Sequence, residues 1–223
     1  MNNVIISASD LTKTYHRGSE EVFALKGVSF GIPEGEFVGI VGPSGSGKTT
    51  LLNLLGCLDT PTQGSLKLNG NEMSGLKEKD LVKLRRENIG FVFQQFYLLP
   101  TLTVQENIGL PLLFSRRQNG ADDRIEEIME LVGLEARAKH LPHQLSGGEM
   151  QRVAIGRALI NKPKIILADE PTGNLDSATA YKIYELFKGL NERGLTLLIV
   201  THNMELAKRT HRIIRLKDGE IAS

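Results

Sequence analysis

The chain has 223 residues, 40% of them apolar and 24% charged, with 27 Lys and Arg against 26 Asp and Glu for a net charge of +1. This is ordinary globular composition, enough for one large domain or a domain with a sizeable insertion, and it carries no basic footprint for nucleic acid. The single cysteine, Cys57, excludes an internal disulfide, and no window approaches the ~18 uninterrupted apolar residues of a membrane span.

The opening MNNVIISASDLTKTY lacks a basic segment followed by an apolar core, so no signal peptide is expected. If the protein works at a membrane, another chain must hold it there. Residues 4–8 and 22–32 alternate loosely and predict strands. EFVGIVG, 36–42, is a short apolar run ending in glycine, as a buried parallel strand would. A helix follows from Lys48 to about Leu58, with Cys57 read as a packed core thiol. GSLKLNG (64–70) and NIGFVFQ (88–94) predict two more strands.

From about Phe96 to Ile160 the signals are helical, broken at Pro100, Pro111, Gly120 and Pro142. In DDRIEEIMELVGL, Ile125, Ile128, Met129 and Val132 share one helical face with acids opposite. Strands return with KIILADE (164–170) and LTLLIVTH (195–202), separated by a helix over roughly 177–193 with Asp176 as its N-cap. HRIIRLKDGEI closes the chain as a hairpin turning at Lys217, Asp218 and Gly219. Strand, loop, helix, then apolar strands separated by helices imply an α/β fold with a parallel core. The helical middle reads as an inserted subdomain.

GPSGSGKT, Gly42 to Thr49, matches G-x-x-x-x-G-K-[ST] between a strand and a helix. Phosphate oxygens are surrounded by successive backbone N–H groups only where no Cβ intrudes, and Gly45 and Gly47 give that room. Helix-terminal amides and the dipole add attraction. Lys48 reaches the β- and γ-phosphates, and the Thr49 hydroxyl ligates Mg²⁺. IILADE then delivers two carboxylates at the end of a buried strand, which is costly unless they meet a cation. Asp169 is placed for Mg²⁺, and Glu170 as general base or orienter of the attacking water.

LSGGE, 145–149, opens another helix with a glycine pair, a second place for an anion. Together with the phosphate loop and LADEP, it resembles the nucleotide-binding subunit of ATP-binding cassette (ABC) transporters over nearly the whole chain. The resemblance implies a P-loop NTPase (RecA-like) core with an N-terminal antiparallel β subdomain and an inserted α-helical signature subdomain. As one domain, about 1–94 and 161–223 would form the core with the β subdomain, and about 95–160 the helical part. It implies ATP and Mg²⁺ as cofactors and a head-to-tail homodimer in which Ser146, Gly147, Gly148 and Glu149 of one copy complete the site of the other. In the loop, Gly42, Pro43, Ser44, Gly45, Ser46, Gly47, Lys48, Thr49 and Thr50 would hold the nucleotide. Tyr15 resembles the aromatic that stacks on adenine. Gln94, straight after VF, resembles the glutamine that senses Mg²⁺ and the attacking water and joins the core to the helical part. Asp176, in GNLD, resembles the acid that crosses the dimer interface, and His202 the switch histidine near the γ-phosphate. Gly156 stands where alanine is more usual in the family.

FQQFYLLPTLTVQENI, 93–108, follows the Gln94 hinge. Phe96 to Pro100 either pack inside the helical part or line a groove that receives a short helix of a membrane permease, as the resemblance implies. Finer likeness is to the lipoprotein-releasing and macrolide-exporting branch, with a peripheral place on the cytoplasmic face of the cell membrane. Alternatives are an importer ATPase, a soluble ABC ATPase acting on nucleic acid or ribosomes, and a non-hydrolysing scaffold. The neutral charge and the intact Lys48, Asp169, Glu170 and His202 weigh against the last two.

Overall fold

A computed structural model describes residues 3–18, 20–114 and 120–222. Two long strands, β1 (Val4–Arg17) and β2 (Glu20–Pro33), pair antiparallel. Register shifts between Ala8 and Thr14 disturb the alternation of inward and outward side chains. Only residues 4–8 of this 14-residue strand therefore read as a strand from sequence. β3 (Phe37–Val41) is buried throughout and runs through a loop into α1 (Lys48–Leu55). The helix stops three residues short of Leu58, because Cys57 takes a left-handed φ of 55°. Burial pushes the Cys57 thiol up to about 11, so it stays protonated and inert.

β4 (Gln63–Leu68) and β5 (Asn71–Glu72) complete a four-stranded antiparallel sheet in the order β2-β1-β4-β5. α2 (Glu78–Asn88) leads directly into β6 (Ile89–Phe93). Its sequence, EKDLVKLRREN, holds only three apolar residues, so no helical stripe announces it.

The next stretch is less helical than expected. Residues 94–103 are loop, and α3 (Val104–Gly109) begins at a capping box made by Thr103 and Glu106. Asn107 explains the loop. It is fully buried, its Oδ1 accepts from Leu99 N at 2.8 Å, and its amide donates to the carbonyls of Leu99, Leu102 and Thr103. A side chain thus satisfies backbone that a helix would otherwise have to pair. A 3-10 turn (Leu110–Phe114), α4 (Ala121–Val132), two more 3-10 turns and α5 (Gly147–Leu159) follow. α4 buries Ile128, Met129 and Val132, as its stripe predicts.

β7 (Ile165–Asp169), α6 (Ser177–Glu192), β8 (Thr196–Val200), α7 (Met204–Ala207), β9 (Arg212–Lys217) and β10 (Glu220–Ala222) close the chain. The second sheet has the order β10-β9-β3-β8-β7-β6, and only β10 runs antiparallel. Its two faces feed two cores. Ile165, Leu167, Leu198 and Val200 join α1 and the antiparallel sheet, while Ile166, Ala168, Leu197 and Ile199 join α3 to α6. Strands covered on both faces must be apolar at every position, which is why β3, β7 and β8 read so plainly.

Candidate functional site

Four neighbouring strands end at one level. Ile40 lies opposite Val200, Val200 opposite Asp169, and Asp169 opposite Phe93. The next residues outward are the 42–49 loop, His202, Glu170 and Gln94, in that spatial order. Ligands of open α/β sheets bind beyond these carboxyl ends.

The loop is shaped by close approach. A Cβ on Gly42 would lie 2.2 Å from the Leu216 carbonyl oxygen, and one on Gly47 2.4 Å from that of Ala24. Gly45 and Gly47 hold φ of 77° and 99°, which side chains rarely adopt. Gly47 is the N-cap of α1, so the first helical amides face the loop. Lys48 Nζ donates to the carbonyls of Gly42 and Pro43, both at 2.8 Å, which keeps its charge inside the loop. Ser46 is 2% exposed and its hydroxyl has no partner among the described residues. Pro43, Ser44, Gly45 and Thr49 are exposed, and Thr50 is half-buried. The β9–β10 turn closes the rear of the loop, where Gly219 N donates to Ser46 O at 3.2 Å and Gly219 O accepts from Lys26 N at 2.9 Å.

The two acids differ. No hydrogen bond or ion pair reaches the Asp169 carboxylate among the described residues. Burial raises its pKa, Glu170 adds to the rise, and Lys48 partly offsets it. Glu170 takes a left-handed φ of 46°, with its N–H donating to Val200 O and its carbonyl accepting from Gly173 N. That conformation costs about 1–2 kcal/mol for a residue with a Cβ, and it turns the carboxylate off the strand. Glu170 Oε2 accepts from His202 N at 3.2 Å, and His202 Nδ1 lies 2.9 Å from the same oxygen. Its Oε1 has no partner among the described residues. With Nδ1 beside this carboxylate, His202 Nε2 is left on an exposed ring.

Gln94 Nε2 donates to Asn174 Oδ1, and Asn174 Nδ2 donates back to Gln94 O, both at 3.1 Å. This amide pair ties β6 to the turn after β7. Asn174 lies in GNLD but is not among the residues singled out from sequence; its partner is 80 positions away. Asp176 caps α6, accepting from Ala178 N and Thr179 N at 3.0 Å and from the Thr179 hydroxyl at 2.6 Å. These donors, the Thr179 hydroxyl foremost, hold its carboxyl below the usual range.

Ser146 is the exposed N-cap of α5 in a capping box. Its N and Oγ donate to Glu149 Oε2 at 2.8 and 2.7 Å, and Arg137 Nε donates to Oε1 at 2.9 Å. Those contacts, the Ser146 backbone donor first, bring Glu149 to about 2. No hydrogen bond joins 145–149 to the 42–50 loop among the described residues. The glycine pair has an internal reason as well as an external one. A Cβ on Gly148 would lie 2.5 Å from Thr179 Cγ2, and one on Gly147 3.2 Å from Leu175 Cδ2.

Tyr15 stands on β1, apart from the strand ends, and its hydroxyl donates to Asp59 Oδ2 at 2.8 Å. In the 96–100 segment, Arg157 holds the Phe96 carbonyl at 2.7 Å while Tyr97 and Leu99 remain 62% and 43% exposed. Leu98 packs against the core, as the packing reading has it.

The chain resembles known proteins along nearly all of its length. Residues 25–173 match the family model described as ABC transporter. The ABC transporter ATP-binding protein MJ0796 of Methanocaldococcus jannaschii is 52% identical over 223 residues, 97% of this chain and 95% of that protein. The dimeric structure of that cassette in a post-hydrolysis state bound to ADP and Pi is similar with a TM-score of 0.89 at 50% identity, covering 98% of this chain and 97% of that one. The macrolide export ATP-binding/permease protein MacB of Bdellovibrio bacteriovorus is 47% identical over 219 residues, 98% of this chain and 34% of MacB.

Proposed function

This chain belongs to the ABC transporter family, and from that premise we propose that it is an ATP-hydrolysing subunit whose two copies close over two nucleotides to drive a membrane-embedded partner. The carrying observation is the row of strand ends. A phosphate loop, a histidine-held carboxylate and a hinge glutamine share one edge, while the capped helix start at Ser146 makes no hydrogen bond to that edge.

The loop amides and Lys48 take the phosphates. Glu170 Oε1 accepts from the attacking water and draws its proton, while Oε2 stays with His202, which fixes the carboxylate's orientation. His202 Nε2 serves the γ-phosphate. A divalent cation fits here. Among the described residues, Asp169 is a half-buried carboxylate without a hydrogen-bond or ion-pair partner, and no three His, Cys, Asp or Glu could hold a metal alone. Asp169, the Thr49 hydroxyl and Gln94 would hold Mg²⁺, completed by phosphate oxygens and water. When bound it neutralises phosphate charge.

The other copy's Ser146, Gly147 and Gly148 close the site over the γ-phosphate, with Glu149 fixing Ser146 and Asp176 nearby at the interface. The dimer of MJ0796 with ADP and Pi supports a two-copy, nucleotide-bound assembly. No helix of the described residues is long and apolar enough to cross a membrane. The membrane partners in this reading are permease subunits, with this chain on the cytoplasmic face. Exposed Tyr97, Leu99, Leu113 and Phe114 offer apolar contact to them. The likeness to MacB favours efflux or lipoprotein release over import.

Glu170→Gln tests the mechanism. Turnover should fall about 100-fold or more, and light scattering should find a stable dimer in saturating Mg-ATP. A monomer under those conditions overturns the closing mechanism.

A further inference from the structure

Lys13, Tyr15 and Asp59 form a cluster that the phosphate chemistry does not use. Asp59 lies just beyond α1, 44 positions from Tyr15. One carboxylate oxygen accepts from the Tyr15 hydroxyl at 2.8 Å. The other accepts from Lys13 Nζ at 2.6 Å and from Thr60 N at 2.7 Å. Lys13 Nζ also donates to Thr60 O at 2.8 Å and sits over the Tyr15 ring, 4.9 Å from its centroid.

A lysine side chain only 12% exposed is not a solvated surface group. Burial would raise the Asp59 pKa, yet the donors from Lys13, Tyr15 and Thr60 outweigh it and hold the group below its ordinary value. The ring is therefore fixed at two points. Its hydroxyl is tethered to the segment after α1, and one face is covered by a cation. Only the opposite face is left for a flat ligand. α1 begins at the phosphate loop, so the tether also connects the ring to the element that grips the phosphates.

We infer that Lys13 and Asp59 are positioning residues for the nucleotide base, locking the Tyr15 ring so that a purine held by its phosphates stacks on the face away from Lys13. The inference rests on Tyr15 being the base platform. Its physical content is pre-organisation, since a ring immobilised before binding loses less freedom when the base arrives.

A double-mutant cycle on the full chain separates this from a merely structural role. Base stacking on an aromatic supports about a tenfold loss of ATP affinity for Tyr15→Ala. Asp59→Ala and Lys13→Met should each weaken ATP about fivefold, the effect of freeing one side chain. KM should rise while kcat at saturation stays within about twofold, and Asp59→Asn, which keeps an acceptor, should recover part of the loss. In the Tyr15→Ala background, Asp59→Ala should add nothing. Inorganic tripolyphosphate, which has no base, should bind every variant as it binds the wild type.

Additive losses, or a matching loss for tripolyphosphate, would make the cluster a structural brace and overturn the inference. Weakened Tyr15→Ala with unaffected Asp59→Ala and Lys13→Met would overturn it alone. An unaffected Tyr15→Ala would remove the base platform itself.

Discussion

Glu149 shows how much one carboxylate does when its partners are local. It satisfies the start of α5, fixes Ser146 and pairs with Arg137. Its pKa lies at about 2 in the fold against an ordinary 4.5, chiefly through the Ser146 donors. A lowered folded value means the stabilisation is complete above about 4.5 and is lost as pH falls toward about 2. Acidification from pH 5 to 3 should therefore lower the unfolding temperature of the wild type more than that of Glu149→Gln. After discounting for screening, roughly 1 kcal/mol is at stake, or about 2–4 °C by thermal scan. Equal shifts would place the charge in solvent. Residues of this kind are legible because their partners lie within a few positions. Ser146, Lys48 and Glu170 stand in short motifs whose chemistry depends on spacing. Asp59, Asn107 and Asn174 are not legible in the same way. Each is an ordinary polar residue until folding brings its partner, and Asn107 reads as one more residue of an expected helix.

Elements divide along a similar line. Strands buried on both faces, β3, β7 and β8, are visible as unbroken apolar runs, α4 by its stripe and α6 by its Asp176 cap. β1 is obscured by its register shifts, α2 by its charge, and the loop 94–103 by a buried side chain standing in for helix hydrogen bonds. The packing of α5 on α6 is equally hidden. Gly148 leaves no room for a methyl against Thr179, whose hydroxyl holds Asp176. Gly148→Ala should thus displace Thr179 and loosen the α6 cap, at a cost of about 1–3 kcal/mol. Thr179→Ser deletes the obstructing methyl and keeps the hydroxyl, so it should restore most of that loss in the double variant, as read by chemical denaturation. No restoration would mean the strain lies elsewhere. Gly156 is a milder case. A methyl there would sit 3.1 Å from Ile108 and Ile128, and this crowding opposes the roughly 0.5–1 kcal/mol that alanine adds to a helix.

In the whole molecule, the parallel sheet sets the site and the two cores hold it. β3 is the pivot, because its ladder partners are β8 on one side and β9 on the other. Truncation before Arg212 removes β9 and β10, and with them the Gly219 contact to Ser46. Such a chain should show no cooperative thermal transition by circular dichroism, whereas a sharp melt near the wild-type temperature would make the last hairpin an accessory.

The position of β3 also governs when the protein becomes a nucleotide binder during its manufacture. The residues of the phosphate loop leave the ribosome early, but both strands that flank β3 are translated about 150 positions later or more, between Thr196 and Lys217. At roughly 5–20 residues per second that interval is on the order of 10 s. A nascent chain carries the whole phosphate motif through that time without the sheet that shapes it, so nucleotide capture is confined to finished protein.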